Sequence, residues 1–147
     1  MSWITITESN VQTKLAGAEL TALKSFALAS GQTSPLTEII EQVVDEIRGY
    51  VAACARNTLG VAGTIPAKLL SAALAMIRYR LATRLPIKSL LTDDRVKENE
   101  AAIRLLEQVA ACKFAIEDPV SGDRSGVSVE QVSTPTRIAT REKLAGL

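Results

Sequence analysis

Apolar residues recur at helical spacing along one stretch. Leu36, Ile39, Ile40, Val43, Val44, Ile47, Tyr50, Val51 and Cys54 fall on a single stripe, with Glu38, Glu41, Gln42, Asp45, Glu46 and Arg48 opposite. Ser34 precedes as a cap, and Pro35 occupies a first helical position, where its missing N–H costs nothing. The pattern predicts a long helix over 34–55 around which the rest of the chain packs. Its acidic face is expected to be wet or to meet a basic partner.

Before this helix, Trp3, Ile4 and Ile6 alternate with Ser2, Thr5 and Thr7, the period of an extended arm. A cap at Thr7 or Ser9 then opens two short helices, one through Val11 and Leu15 and one through Leu20, Leu23, Phe26 and Ala27, hinged near Gly17. Ser30-Gly31-Gln32-Thr33 closes the second as a glycine turn. Trp3 reads as a plug on the helical core; the functional alternative is an anchor in a neighbouring subunit, since tryptophan is favoured at interface hot spots.

After the long helix, residues 57–64 carry two glycines and little charge and read as a flexible loop. They lack the Gly-Lys-Ser/Thr ending of a phosphate loop. Ile65-Pro66 is expected to open the next helix, with Leu70, Ala73, Leu74, Ile77, Leu81 and Leu85 as its main stripe. Leu69, Ala72, Met76 and Tyr79 make its other faces apolar too, so it must be covered on more than one side. Arg80 and Arg84 share a flank at i, i+4, with Arg78 and Lys68 elsewhere; a solvated or salt-bridged rim is the preferred reading, because no aromatic platform accompanies them. Pro86 ends that helix. Thr92-Asp93-Asp94 caps another, running to about Ala115, with Val96, Ile103, Leu106, Val109, Ala110 and Phe114 inward.

From residue 118 apolar density drops. Val127, Val129 and Val132 permit a short strand and Ile138, Arg141 and Leu144 a last turn, in a segment too poor in apolar residues to bury itself. The expected fold is therefore mainly α: a small helical bundle over 1–117 around a long central helix, with an extended or short-strand C-terminal arm over 118–147. The arm is expected to be flexible or docked on a partner.

Composition narrows the chemistry. Of 147 residues 47% are hydrophobic but only 3% aromatic, so the core must be Leu, Ile, Val and Ala. Seventeen basic and sixteen acidic residues leave a formal charge of +1, without the basic excess that binding a phosphate backbone demands. Histidine is absent, which removes the commonest general base, Ser-His and Cys-His nucleophiles and imidazole ligands. Cys54 and Cys112 both fall on apolar helical faces and read as small hydrophobes, unbridged in a reducing cytoplasm. The N-terminus lacks a basic region before an apolar run, and no apolar stretch reaches membrane-spanning length. Asp93 and Asp94 read as capping charges with no third carboxylate to complete a metal site. No enzyme activity, cofactor or metal is expected.

Several motifs, weak singly, occur in a familiar order. They are the acidic-faced helix over 36–50, Ile65-Pro66-Ala67-Lys68-Leu69 before Ile77-Arg78-Tyr79-Arg80-Leu81, and Asp94-Arg95-Val96-Lys97 before Ala101-Ala102-Ile103-Arg104-Leu105-Leu106. Val109-Ala110-Ala111-Cys112-Lys113 and the closing run from Thr136 to Leu144 complete them. In these the chain resembles the small helical virion proteins of Mu-like tailed phages and prophages, and more broadly the head–tail connector adaptors that ring the underside of the portal. It departs in having the glycine loop where an aromatic-proline segment is usual, and Cys112 where a helix-ending glycine is usual. The resemblance implies a structural virion protein, made in the host cytoplasm, that assembles as a homo-oligomeric ring. The implied partners are the portal protein and a tail-completion (stopper) protein, with no membrane and no specific nucleic acid. Candidate partner contacts are Trp3, Arg80, Arg84, Val127, Val129, Val132, Ile138, Arg141 and Leu144. The alternative is a small helical DNA-binding or regulatory module, motivated by Arg78, Arg80, Arg84 and Arg95.

Overall fold

The computed structural model describes residues 3–17, 19, 22, 35–84 and 90–119. Over these the chain is mainly helical, with one two-stranded sheet. The strand β1, Trp3–Thr5, leads into helix α1, Glu8–Lys14, and then comes the long helix α2, Pro35–Ala53. A second strand, β2, Thr64–Pro66, and a single 3-10 turn, Ala67–Leu69, precede helices α3, Leu70–Arg84, and α4, Asp93–Ala110.

The stripe on α2 is the core. Ile39, Ile40, Val43, Val44, Ile47 and Val51 are all buried, and Leu36 and Tyr50 pack half-buried against the same cluster. The helix ends at Ala53, short of the expected residue 55. There Asn57 donates its side-chain N–H to the Val51 carbonyl at 3.2 Å and its backbone N–H to the Cys54 carbonyl at 3.0 Å. These bonds satisfy carbonyls that a further helical turn would have used. The expected cover on several faces of α3 is also present, since it packs against α1, α2 and α4. Leu69, Ala73, Met76, Ile77 and Leu81 lie inside.

Thr7, not Ser9, caps α1. Its hydroxyl accepts the Asn10 N–H at 3.4 Å while its own N–H donates to Asn10 Oδ1 at 2.9 Å, a reciprocal capping box. The helix expected after Gly17 lies largely outside the described residues, as do Ser34 and the segment 85–89; Glu19 and Ala22 are described and buried.

Three expectations are corrected. Ile65 and Pro66 do not lie in a first helical turn but form β2, pairing antiparallel with the N-terminal arm in the register Trp3↔Pro66, Ile4↔Ile65 and Thr5↔Thr64, and Pro66 is also the residue that caps the 3-10 turn leading into α3. Pro66 has φ −56 and ψ 135, and a residue preceding proline is driven to extended backbone, so Ile65 is a better strand residue than a helical one. The last helix stops at Ala110 rather than near Ala115. The Lys113 N–H bonds the Gln108 carbonyl at 2.9 Å and the Cys112 N–H bonds the Val109 carbonyl at 3.0 Å, around Cys112 at φ 59. That is a Schellman ending with cysteine in the left-handed position where glycine is usual. Finally, Cys54 and Cys112 are not free thiols. They form a disulfide, Cα to Cα 5.4 Å, that ties the end of α2 to the end of α4.

Candidate partner-contact surface

Position Arg80 and Arg84 follow from the α3 helix, whose i, i+4 spacing sets them over the acidic face of α2. Arg80 pairs with Glu46, and Arg84 Nη1 lies 4.0 Å from Glu38 Oε2. The expected basic partner of the acidic face is thus, in part, the chain itself. Arg78 and Arg95 turn to another carboxylate. Glu19 is only 4% exposed; its Oε1 accepts from Arg78 Nε at 3.2 Å, and its Oε2 accepts the Ala16 N–H at 2.8 Å. Arg95 Nη1 stands 2.7 Å from the same Oε1 but off the line a hydrogen bond needs, so that contact is one of charge alone. Arg78 also reaches Glu98 at 3.9 Å. All four arginines that motivated a nucleic-acid reading therefore face carboxylates of their own chain.

Trp3 is held from several sides. Its indole N–H donates to the Glu117 carbonyl at 2.9 Å, tying the first strand to the chain beyond α4. Its ring lies flush on Gly60, where an added Cβ would stand 2.8 Å from Trp3 Cδ2 and Cε3, so only glycine permits this approach. The Arg48 guanidinium sits 5.6 Å from the ring centroid, within cation–π range.

Arg48, read as part of the wet face of α2, is the organiser of the loop over 57–64. It donates to the carbonyls of Gly60 at 3.1 Å, Val61 at 2.9 Å and Thr64 at 2.8 Å. Thr64 closes the turn by donating its backbone N–H and its hydroxyl to Val61 O, with Gly63 at φ 77. The glycine loop is thus a hydrogen-bonded turn that carries Val61 78% exposed at its tip, beside a less exposed Leu59. Arg48→Met keeps the aliphatic stem but removes these bonds from a charged donor. A loss of about 2 kcal/mol is expected, with faster exchange of the Thr64 amide. Urea unfolding and amide exchange read both; unchanged stability would leave Trp3 alone as the loop's support.

A concavity with a volume of about 490 Å³ lies between the sheet, the start of α1 and α2. Ile6, Ile40 and Val44 give it an apolar floor, and Glu8, Glu41 and Asp45 an acidic rim, with Thr5, Thr37 and Gly63 completing the wall. Thr37 donates its hydroxyl to Glu8 Oε1 at 3.0 Å. Among the described residues no basic side chain pairs with Glu8, Glu41 or Asp45. Sequence reading missed this cleft because it needs β1 and α2 side by side, and the only available signal was that Glu41 and Asp45 share a flank of α2.

Residues 6–132 match the model of the family described as Bacteriophage Mu, Gp36. The chain belongs to that family. No curated protein and no solved structure matches it. As a Mu Gp36 family member it is a Mu-like phage protein. The match spans α1 to α4 and both cysteines, and it stops before Ile138, Arg141 and Leu144. Those three residues, with Val127, Val129 and Val132, lie outside the described residues. The described part holds no group of three or more His, Cys, Asp or Glu side chains placed to hold a metal ion, and no helix of it is long and apolar enough to cross a membrane.

Proposed function

We propose that this Mu Gp36 family protein is a structural subunit of the head–tail connector, an adaptor that assembles as a ring on the portal and joins the phage head to the tail. The observation that carries the reading is the contrast between two surfaces. Every arginine of the former nucleic-acid candidate set faces a carboxylate of the chain itself, whereas the acidic rim of the cleft and the Val61 tip are left open. Such surfaces serve contact with other proteins rather than chemistry. The family match supports the phage setting.

In this reading the arm over 118–147 engages an adjacent subunit or the portal. Ordering about thirty residues is entropically costly, so one copy binds weakly while many in a ring bind strongly. Truncation after Pro119, which retains the bond between Trp3 and Glu117, should leave a folded helical body that no longer joins heads to tails. Circular dichroism with thermal melting reads the first half and a complementation assay the second. Joining by the truncated protein would overturn the arm's role. A gel-shift titration across salt concentrations addresses the DNA-binding alternative, and tight, sequence-selective binding would overturn the connector itself.

A further inference from the structure

We propose that the Cys54–Cys112 bridge is a redox latch: it closes a strap, residues 112–119, over the Trp3 ring, and its reduction releases the strap while the helical body stays folded. The strap starts just past α4, where the disulfide ties Cys112 to the end of α2. Phe114 and Ile116 then pack half-buried against the core cluster. Glu117 follows, its carbonyl accepting the Trp3 indole N–H at 2.9 Å and its Oε2 accepting the Lys68 backbone N–H at 3.4 Å. Pro119 closes on the loop, its Cβ 3.0 Å from where a Cβ on Gly60 would stand. One short stretch thus touches β1, the 3-10 turn and the glycine loop.

The disulfide is the strap's covalent hold on the body, and its other ties are weaker. The bond to Lys68 is exposed and the bond to Trp3 only partly buried, so both compete with water. Cys112 itself opposes the closed state, since at φ 59 it keeps a backbone that a residue with a Cβ disfavours. Once the bridge opens, the remaining restraint at that corner is the Gln108 carbonyl, which takes the Lys113 and Phe114 N–H at 2.9 and 3.3 Å. Rotation at Cys112 redirects every residue after it. The body does not depend on this strap, because Val43, Ile47, Met76, Ile77 and Leu106 bury one another between α2, α3 and α4. Release is therefore a local opening.

The reductant is a low-molecular-weight thiol. Cys54 is 2% exposed and Cys112 half-buried, so the incoming thiolate attacks the Cys112 sulfur, the S–S bond breaks, and Cys54 leaves as a thiolate that takes up a proton. A second thiol then displaces the first from Cys112. The protein ends with both cysteines as thiols, and the reagent departs as its own disulfide. Reduced, the chain uncovers the indole; oxidised, it covers it. The latch is independent of whether the protein joins heads to tails, which the complementation assay reads separately.

The test uses the full chain, in which Trp3 is the sole tryptophan and so reports the strap by itself. Air-oxidised protein should contain no free thiol and an indole poorly quenched by acrylamide. A titration with reduced and oxidised glutathione should move the emission to longer wavelength and strengthen quenching several-fold as the reduced form rises. The Lys68 amide should exchange faster in step, the helical circular dichroism should stay unchanged, and excess oxidised glutathione should reverse all of it. Cys54→Ala/Cys112→Gly should show the released emission without thiol and ignore the titration; the natural protein decides the matter even where this variant does not fold. Free thiols at both positions after air oxidation overturn the proposal, as does an indole equally shielded before and after reduction. Loss of helical signal together with exposure of the indole also overturns it, because the bridge then braces the whole fold rather than one strap.

Discussion

Val43→Asp abolishes soluble folding. Val43 is 0% exposed at the centre of α2, in one cluster with Ile47, Val51, Met76, Ile77, Leu106 and Val109. The arginines of the described ion pairs face Glu19, Glu38, Glu46, Glu98 and Glu100, none of which belongs to that cluster. A carboxylate placed there either stays charged without a partner or takes up a proton and remains an unsatisfied polar group. Either outcome costs several kcal/mol, of order the whole stability of a domain this size. The measurement is the soluble fraction and the helical circular dichroism signal against Asp45→Asn, a change on the wet flank of the same helix. A soluble Val43→Asp protein with an unchanged melting temperature would mean that α2 turns a different face to the core.

That prediction was legible in the sequence because it rests on a local period. The stripe on α2, the all-round apolar character of α3 and the cap at Thr7 each depend on residues a few positions apart, and each is present in the fold. What sequence reading missed is non-local. The alternation over residues 2–7 marked the first strand as extended, but its partner, Thr64–Pro66, is three residues long and shows no period of its own, so the pairing of Trp3 with Pro66 stayed hidden. Pro66 satisfied the rule for a helix start, while the effect of proline on the residue before it pulled the other way and won. Arg48 sits on the polar flank of α2, and nothing within the helix marks it as the donor that binds three loop carbonyls. Glu19 stands out in no local pattern, yet two arginines from α3 and α4 converge on it.

The candidate site was legible only in part. Arg80 and Arg84 lie on the salt-bridged rim that their spacing implied. Trp3 has its own intrachain partners, and its contact with Gly60 gives a steric reason for glycine in the loop. The cleft combines a strand, a helix start and a helix flank that are distant in sequence, and no motif of any one of them announces it. Cys112 is the instructive case. Its departure from a helix-ending glycine is matched by its positive φ, so the position keeps the backbone that glycine would adopt while the side chain is recruited elsewhere.

Removing that recruitment should have the second large effect. The Cys54–Cys112 bridge joins residues 58 apart in sequence, and both lie where helices end: Cys54 just past α2 and Cys112 just past α4. In the chain-entropy account a closed loop of this length limits the unfolded ensemble by about 4 kcal/mol. Cys54→Ala/Cys112→Ala, or reduction of the natural protein with dithiothreitol, should therefore lower the melting temperature by on the order of 10 °C. The alanine pair carries a second, opposing clue. Alanine at 112 must hold φ near 59 with a Cβ, a cost of roughly 1 kcal/mol that Cys112→Gly avoids. Thus Cys54→Ala/Cys112→Gly should recover a few degrees relative to the alanine pair while remaining below the oxidised protein. Differential scanning calorimetry with and without reductant distinguishes the two contributions. If reductant leaves the melting temperature of the natural protein unchanged, the bridge is not what holds the ends of α2 and α4 together, and the core between them suffices.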